Sequence, residues 1–152
     1  MTLLKEQLMP VLIDDEGYKE EIYLDHLGHP TFGIGHLVTR TDPEYGQPVG
    51  APVSQERVLE AFNVDVDDCI RGAYTLDENM LNRPLDAQIV LTCMVFQMGR
   101  NGVSKFRNML NSLHSGDYKA ASEHMLDSRW ATQTPARANR LARRMYHASR
   151  SA

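Results

Sequence analysis

This sequence predicts a mostly helical α+β fold. A small N-terminal lobe carries a β-hairpin or three-stranded sheet, a long helix follows, and a larger C-terminal lobe is wholly helical. Three observations carry that expectation. Residues 22–24 and 31–34 are short β-prone runs on either side of Asp25-His26-Leu27-Gly28, which has hairpin-turn chemistry. Val58, Phe62, Val66 and Ile70 recur at four-residue spacing, with Leu59 and Ala73 widening the stripe. Beyond them every apolar pattern has a helical period.

The elements follow in order. Residues 8–16 make a short helix with Leu8, Leu12 and Ile13 on its apolar face. Pro10 fits its first turn, where a missing N–H costs nothing, and Gly17 closes it. Residues 38–52 hold Pro43, Gly46, Pro48, Gly50 and Pro52, which predicts a loop or a ragged strand. Ser54 is a good N-cap for a helix over about 55–72, longer than one small lobe needs. Residues 85–98 are almost continuously apolar and predict a central helix buried all round. A helix over 104–113 ends near Gly116, and Asp117 caps another over 118–126. Thr134-Pro135 opens the last, to about Ser149. The small lobe is expected over about 14–54, the connecting helix over 55–72, and the helical lobe over 73–152 together with 1–13. A cleft between lobes is a natural ligand site.

Composition narrows the classes. The chain has 152 residues, 42% of them hydrophobic, enough for one domain with a real core. No apolar run approaches membrane-spanning length. A lysine at position 5 interrupts the N-terminus before a signal-peptide core can form. Accumulation in the cytoplasm of the producing cell is therefore expected, with action elsewhere only after release. Without a signal peptide, Cys69 and Cys93 read as buried thiols rather than a disulfide. His26, His29 and His36 lack helical ligand spacing, so neither a metal nor another cofactor is expected.

Charge is uneven. Net charge is −4, yet after Asp127 there are six arginines and no acidic side chain. An acidic body with a basic last helix suggests an anionic partner, such as a membrane or lipopolysaccharide surface. A solvated helix balancing the acidic lobe is the plain alternative. Nucleic acid is disfavoured by the acidic remainder and by the few aromatics in the basic segment. No oligomer seam is visible, so a monomer is expected.

The segment from Asp14 to His36 places Glu16 at a helix end and Asp25 at a hairpin turn. Two carboxyls held apart across a cleft are the minimal equipment for breaking a glycosidic bond. Around them stand Asp15-Glu16-Gly17, Tyr23-x-Asp25, Gly28-x-x-Thr31-x-Gly33-Ile34-Gly35-His36-Leu37 and Phe62-Asn63-x-Asp65-Val66-Asp67. Later come Met94-Val95-Phe96-Gln97-Met98-Gly99 and Ser128-Arg129-Trp130-x-x-Gln133-Thr134-Pro135-x-Arg137-Ala138-Asn139-Arg140. In these blocks, over nearly its whole length, the chain resembles the T-even-type phage lysozymes of glycoside hydrolase family twenty-four. The resemblance implies the two-lobed lysozyme-like fold. It also implies hydrolysis of the β-1,4 bond between N-acetylmuramic acid and N-acetylglucosamine in peptidoglycan, with inversion, for lysis at the end of a phage infection.

The resemblance also assigns residues. Glu16 matches the general acid, which protonates a leaving alkoxide and needs a raised pKa to keep its proton. Asp25 matches the second carboxylate, which activates water from the opposite face; about 6.5–9.5 Å between the carboxyls leaves room for that water. Thr31 matches the threonine whose hydroxyl helps hold the water; otherwise it is an ordinary strand threonine. Arg137 matches an arginine facing the acid across the cleft, and is expected to orient the carboxyl. Leu37 and Phe96 match glycan-contacting positions, with plain core packing as their alternative. His36 and Asp65 match a structural ion pair. Met109 and His124 depart from the Ser and Asn that relatives often carry, which changes the subsites there. The 41–52 segment departs too.

Two other readings compete. A catalytically silent peptidoglycan-binding module would need no acid at position 16. A lytic transglycosylase would use one acid and no water, so the Asp25–Thr31 pair argues for hydrolysis.

Overall fold

The computed structural model describes residues 2–151. Its elements are α1 (Thr2–Glu16), β1 (Lys19–Leu24), β2 (Pro30–Gly33), β3 (His36–Leu37), α2 (Gln55–Leu76), α3 (Leu85–Ser104), α4 (Arg107–His114), α5 (Tyr118–Leu126), α6 (Arg129–Gln133) and α7 (Pro135–Ser151). A single 3-10 turn, Met80–Asn82, precedes α3. This is the α+β, mostly helical class expected. The chain divides into two compact units, one of residues 9–67 and one of residues 1–8 with 68–152.

The first unit is built on an antiparallel sheet in the order β1-β2-β3. The expected hairpin is present: the Gly28 N–H donates to the Asp25 carbonyl at 2.9 Å, closing a turn between β1 and β2. The third strand is only two residues long, with Thr31 opposite Leu37 and Phe32 opposite His36. The Pro/Gly-rich segment is a loop of successive turns, and its end returns along β1. There the Ile22 N–H reaches the Ala51 carbonyl, and the Val53 N–H reaches that of Glu20. Ile22, Phe32, Ile34, Val53, Val58, Phe62 and Val66 form the buried core of this unit. Burying such side chains contributes roughly 1.5–3 kcal/mol each.

In the second unit α3 is buried from Ile89 to Val95, as its apolar run demands. Helix α7 packs against α3, α5 and α6. Asp77, buried in this unit, accepts two hydrogen bonds from Arg83 at 2.9 and 3.1 Å. Such a fork satisfies a carboxylate that water cannot reach.

Several boundaries differ from expectation. Helix α1 starts at Thr2, so Pro10 lies inside it and not in its first turn. Leu4, Leu8 and Leu12 are all buried at four-residue spacing, and that stripe carries the helix through the proline. Helix α2 runs on to Leu76. Ser104 ends α3 rather than starting α4, after a break at Gly99 with φ 78°. Helix α6, five residues long, was too short to show a period. Asp117 caps α5 as expected, accepting from the Ala120 N–H at 3.1 Å. Cys93 is buried as expected, whereas Cys69 is only half-buried.

Candidate active site

Glu16 is the last residue of α1 and is half-buried. Asp14, Asp15 and Glu16 together put three acids in the last turn, with no basic residue there. That is the reverse of what the helix macrodipole favours. An arrangement that costs local stability marks a site kept for another reason. The Gly17 N–H closes the helix on the Ile13 carbonyl at 2.8 Å. The Glu16 side chain then lies against the β2–β3 turn. A Cβ on Gly35 would stand 3.1 Å from the Glu16 Cβ.

Asp25 follows β1 and is half-buried. Its Oδ1 accepts the N–H groups of Leu27 at 2.9 Å and His29 at 2.8 Å. Its own N–H donates to the His29 carbonyl at 3.0 Å. The His29 N–H holds this carboxyl below the usual aspartate range; burial opposes the shift, and the Leu27 N–H and the His29 and His26 rings add to it. Hydrogen bonds to the charged form have that effect. Asp25 is thus built to be a carboxylate.

Thr31 lies on β2, only 2% exposed. Its hydroxyl donates to the His29 carbonyl at 2.9 Å, which leaves the hydroxyl oxygen as an acceptor. Tyr23 pairs with Thr31 on one side, and Leu37 pairs with Thr31 on the other. Directly opposed residues share a sheet face, so Tyr23, Thr31 and Leu37 form one row. Leu37 is half-exposed, not core. The Tyr23 phenol is pushed above its ordinary value by burial and then by the negative charges of Glu16 and Asp25. One side chain therefore senses both carboxyls. Tyr23 has no role assigned from the sequence, although it stands in the Tyr23-x-Asp25 motif, two residues before a carboxyl that follows β1.

Beside this row His36 bridges two carboxylates. Its Nδ1 lies 2.7 Å from Asp65 and its Nε2 2.8 Å from Asp42. The Asp65 pairing was legible, whereas Asp42 lies in the loop. Asp42 and Glu44 also bind Arg57, so the 41–52 segment is fastened to α2 by charge. Among the described residues no group of three or more His, Cys, Asp or Glu side chains is arranged to hold a metal ion.

The remaining expected residues belong to the other unit. Phe96 is half-buried on α3 and Arg137 half-buried in the first turn of α7. Met109 and His124 line one hollow of about 290 Å³, together with Phe106, Arg107, Asn108 and Trp130. The Trp130 indole N–H donates to Gln97 at 3.0 Å, fixing one wall. Met109 and His124 thus fall in one place.

The family model described as phage lysozyme matches residues 14–147. The chain belongs to the phage lysozyme family. It is a glycoside hydrolase of the lysozyme type. It is 31% identical to probable T4-type lysozyme 2 of Dictyostelium discoideum, across 88% of this chain and 90% of that protein. It is 32% identical to the pre-baseplate central spike protein Gp5 of Enterobacteria phage T4, across 84% of this chain but 25% of that protein. Against the peptidoglycan hydrolase gp36 of Pseudomonas phage phiKMV, identity is 31% across 86% of this chain and 14% of that protein. The same lysozyme unit thus matches proteins of its own size and a small part of much longer ones. Among the described residues, no helix of this family member is long and apolar enough to cross a membrane.

Proposed function

We propose that this lysozyme hydrolyses the β-1,4 bond between N-acetylmuramic acid and N-acetylglucosamine in peptidoglycan, with inversion, as an endolysin. Glu16 is the general acid, Asp25 the general base, and Thr31 holds the attacking water with Asp25. The observation that carries this reading is the pair of unlike environments around the two carboxyls. Glu16 stands at the carbonyl end of α1, where a full negative charge is disfavoured. Asp25 is held ionised by two backbone N–H groups. A carboxyl at a helix carbonyl end beside one held by backbone N–H groups is the arrangement that divides two such groups into acid and base. Leu37 and Phe96 contact the glycan and Arg137 orients the acid; their support is the motif each stands in. The enzyme accumulates in the host cytoplasm, acts as a monomer on the cell wall after release, and uses no cofactor.

Product analysis on purified peptidoglycan tests this. The wild type is expected to give reducing ends, with the α anomer appearing first. Glu16→Gln should lose at least about 100-fold in rate, the scale of a general acid. Equal clearing by both proteins would remove Glu16 from its role. Anhydro ends would indicate a transglycosylase.

A second contact is proposed for α7, toward an anionic lipid or lipopolysaccharide surface. Arg140, Arg143 and His147 are exposed on it. Arg144 is tied to Asp86 at 3.0 Å, so Arg143→Glu is the cleaner test. Leakage of anionic vesicles should fall with that change and with added salt. Unchanged leakage would count against it.

A further inference from the structure

Asp25 uses its two oxygens differently. Oδ1 is occupied by the Leu27 and His29 N–H groups. Oδ2 faces the His29 ring, with Nδ1 3.7 Å away. The same residue's carbonyl accepts both the Asp25 N–H and the Thr31 hydroxyl. His29 therefore meets the base at both backbone groups and with its ring, and it sets where the Thr31 hydroxyl proton points. Any residue but proline could supply the backbone groups. The ring is what only histidine brings.

We propose that His29 is a positioning residue for the general base, its imidazolium facing Oδ2 of Asp25 and keeping that carboxylate ionised and aimed at the water held by Thr31. The proposal deepens the function above and rests on Asp25 being the base. At 3.7 Å the ring is too far for a hydrogen bond, so it acts through charge. An opposite charge at such a distance favours the ionised carboxyl. An imidazole is cationic on the acid side of neutrality, where a base begins to lose its charge. The ring is 59% exposed and the Asp25 side chain 21%, so the ring borders solvent while the carboxyl it faces is the more sheltered of the two.

Among the described residues, other titratable groups lie near Asp25, and the Lys19 ammonium stands 5.0 Å over the neighbouring Tyr23 ring. His26, from the same turn, adds positive charge. Tyr23, from β1, senses the charge of Asp25 and also that of Glu16 at the end of α1. The Tyr23 phenol is neutral across the acid range. Glu16 and His26 are present in wild type and variant alike, so a change at position 29 isolates one ring. Because that ring is mostly in solvent, its replacement leaves the core untouched.

The test is kcat/KM against pH, from about 3 to 8, for wild type, His29→Gln, His29→Lys and Asp25→Asn on purified peptidoglycan. The acid limb of His29→Gln should move upward by about half a unit, the discounted effect of one exposed cation. The wild-type to variant ratio should then grow about threefold as pH falls along that limb. His29→Lys, which keeps a cation, should return the limb toward the wild-type position. Carbon NMR titration of the Asp25 carboxyl should show the same displacement without relying on turnover. Superimposed acid limbs and superimposed Asp25 titrations for wild type and His29→Gln would overturn the proposal. If Asp25→Asn keeps wild-type activity, the base assignment itself falls and the proposal with it. An inactive Asp25→Asn beside an unshifted His29→Gln removes only the role of His29.

Discussion

A Cβ placed on Gly35 would stand 3.2 Å from Oε2 of Glu16. The turn between β2 and β3 is therefore the wall against which the Glu16 carboxyl rests. Gly35 also has φ 64°, a left-handed conformation that costs an ordinary residue roughly 1–2 kcal/mol. Gly35→Ala should therefore act twice. Stability should fall by about 1–2 kcal/mol from the backbone alone. The added methyl would also stand 3.1 Å from the Glu16 Cβ and 3.2 Å from its Oε2, so the side chain must shift by a few tenths of an ångström and its carboxyl must turn. That shift moves the acid from its place, and misplacement by about 1 Å can cost about 100-fold in rate. Clearing rates and urea midpoints measured together separate the two effects. Lost stability with an unchanged rate would show that the wall does not position Glu16.

Thr31 is a second test of the site. Its hydroxyl donates to the His29 carbonyl, which also accepts the Asp25 N–H. Thr31→Val therefore leaves that carbonyl with one partner, and no buried acceptor is stranded. The stability cost should stay near 1 kcal/mol, the net worth of one ordinary hydrogen bond. The water would lose its acceptor as well. One such bond made in the transition state is worth about 1–2 kcal/mol, or about 5–30-fold in kcat. A kcat within twofold of wild type, measured on folded protein, would reduce Thr31 to a strand residue.

Much of this was readable in the sequence, for reasons that differ by element. Asp117 and Ser54 cap their helices because a short polar side chain before an apolar period has one obvious use. The hairpin at Asp25–Gly28 was legible from turn chemistry. A third strand was one of two alternatives, and its place at His36–Leu37 was not legible, because two residues cannot show an alternation. Glu16, Asp25 and Thr31 stood in motifs. Tyr23 and His29 escaped because their meaning depends on where a turn folds a neighbour back. Asp42 escaped for a similar reason: the path of a Pro/Gly-rich loop is not written in periodicity. The start of α1 is not legible, because a proline fits a first turn better than an interior. Leu4, Leu8 and Leu12, buried in series, outweigh it.

Pro10 sits within α1 and is exposed. It cannot donate an N–H to the Glu6 carbonyl, one turn earlier, and its ring crowds that carbonyl. A proline in a helix interior costs up to about 3 kcal/mol relative to alanine. Pro10→Ala removes little buried surface and restores the missing bond. It should raise stability by about 1–3 kcal/mol, seen as a higher urea midpoint at unchanged slope. An unchanged or lower midpoint would mean that α1 has already relaxed around the ring, or that the proline stiffens the unfolded chain by as much.

The bridge at His36 makes stability depend on pH in a stated direction. Burial pulls the imidazole down, but the bonds to Asp65 and Asp42 outweigh it and hold the ring above its ordinary 6.5. A raised value means stability that is fully present below 6.5 and lost as pH rises through the folded value. Asp42 runs the other way. Burial pulls it up, while the Thr39 N–H and His36 outweigh that and hold it below 3.8. Its contribution is present above 3.8 and lost as pH falls through the folded value. The cluster therefore stabilises most between 3.8 and 6.5. Within that window both ring nitrogens donate, which requires the imidazolium. His36→Asn should cost about 3 kcal/mol there, because two carboxylates lose the cation they share. The cost should shrink as pH rises through the folded value of the ring, where the wild type loses the same cation. Urea midpoints of both proteins across that range give the answer. Parallel curves would mean that the ring stays neutral throughout, and that Arg57, which also binds Asp42 at 3.1 Å, carries the charge balance of the loop.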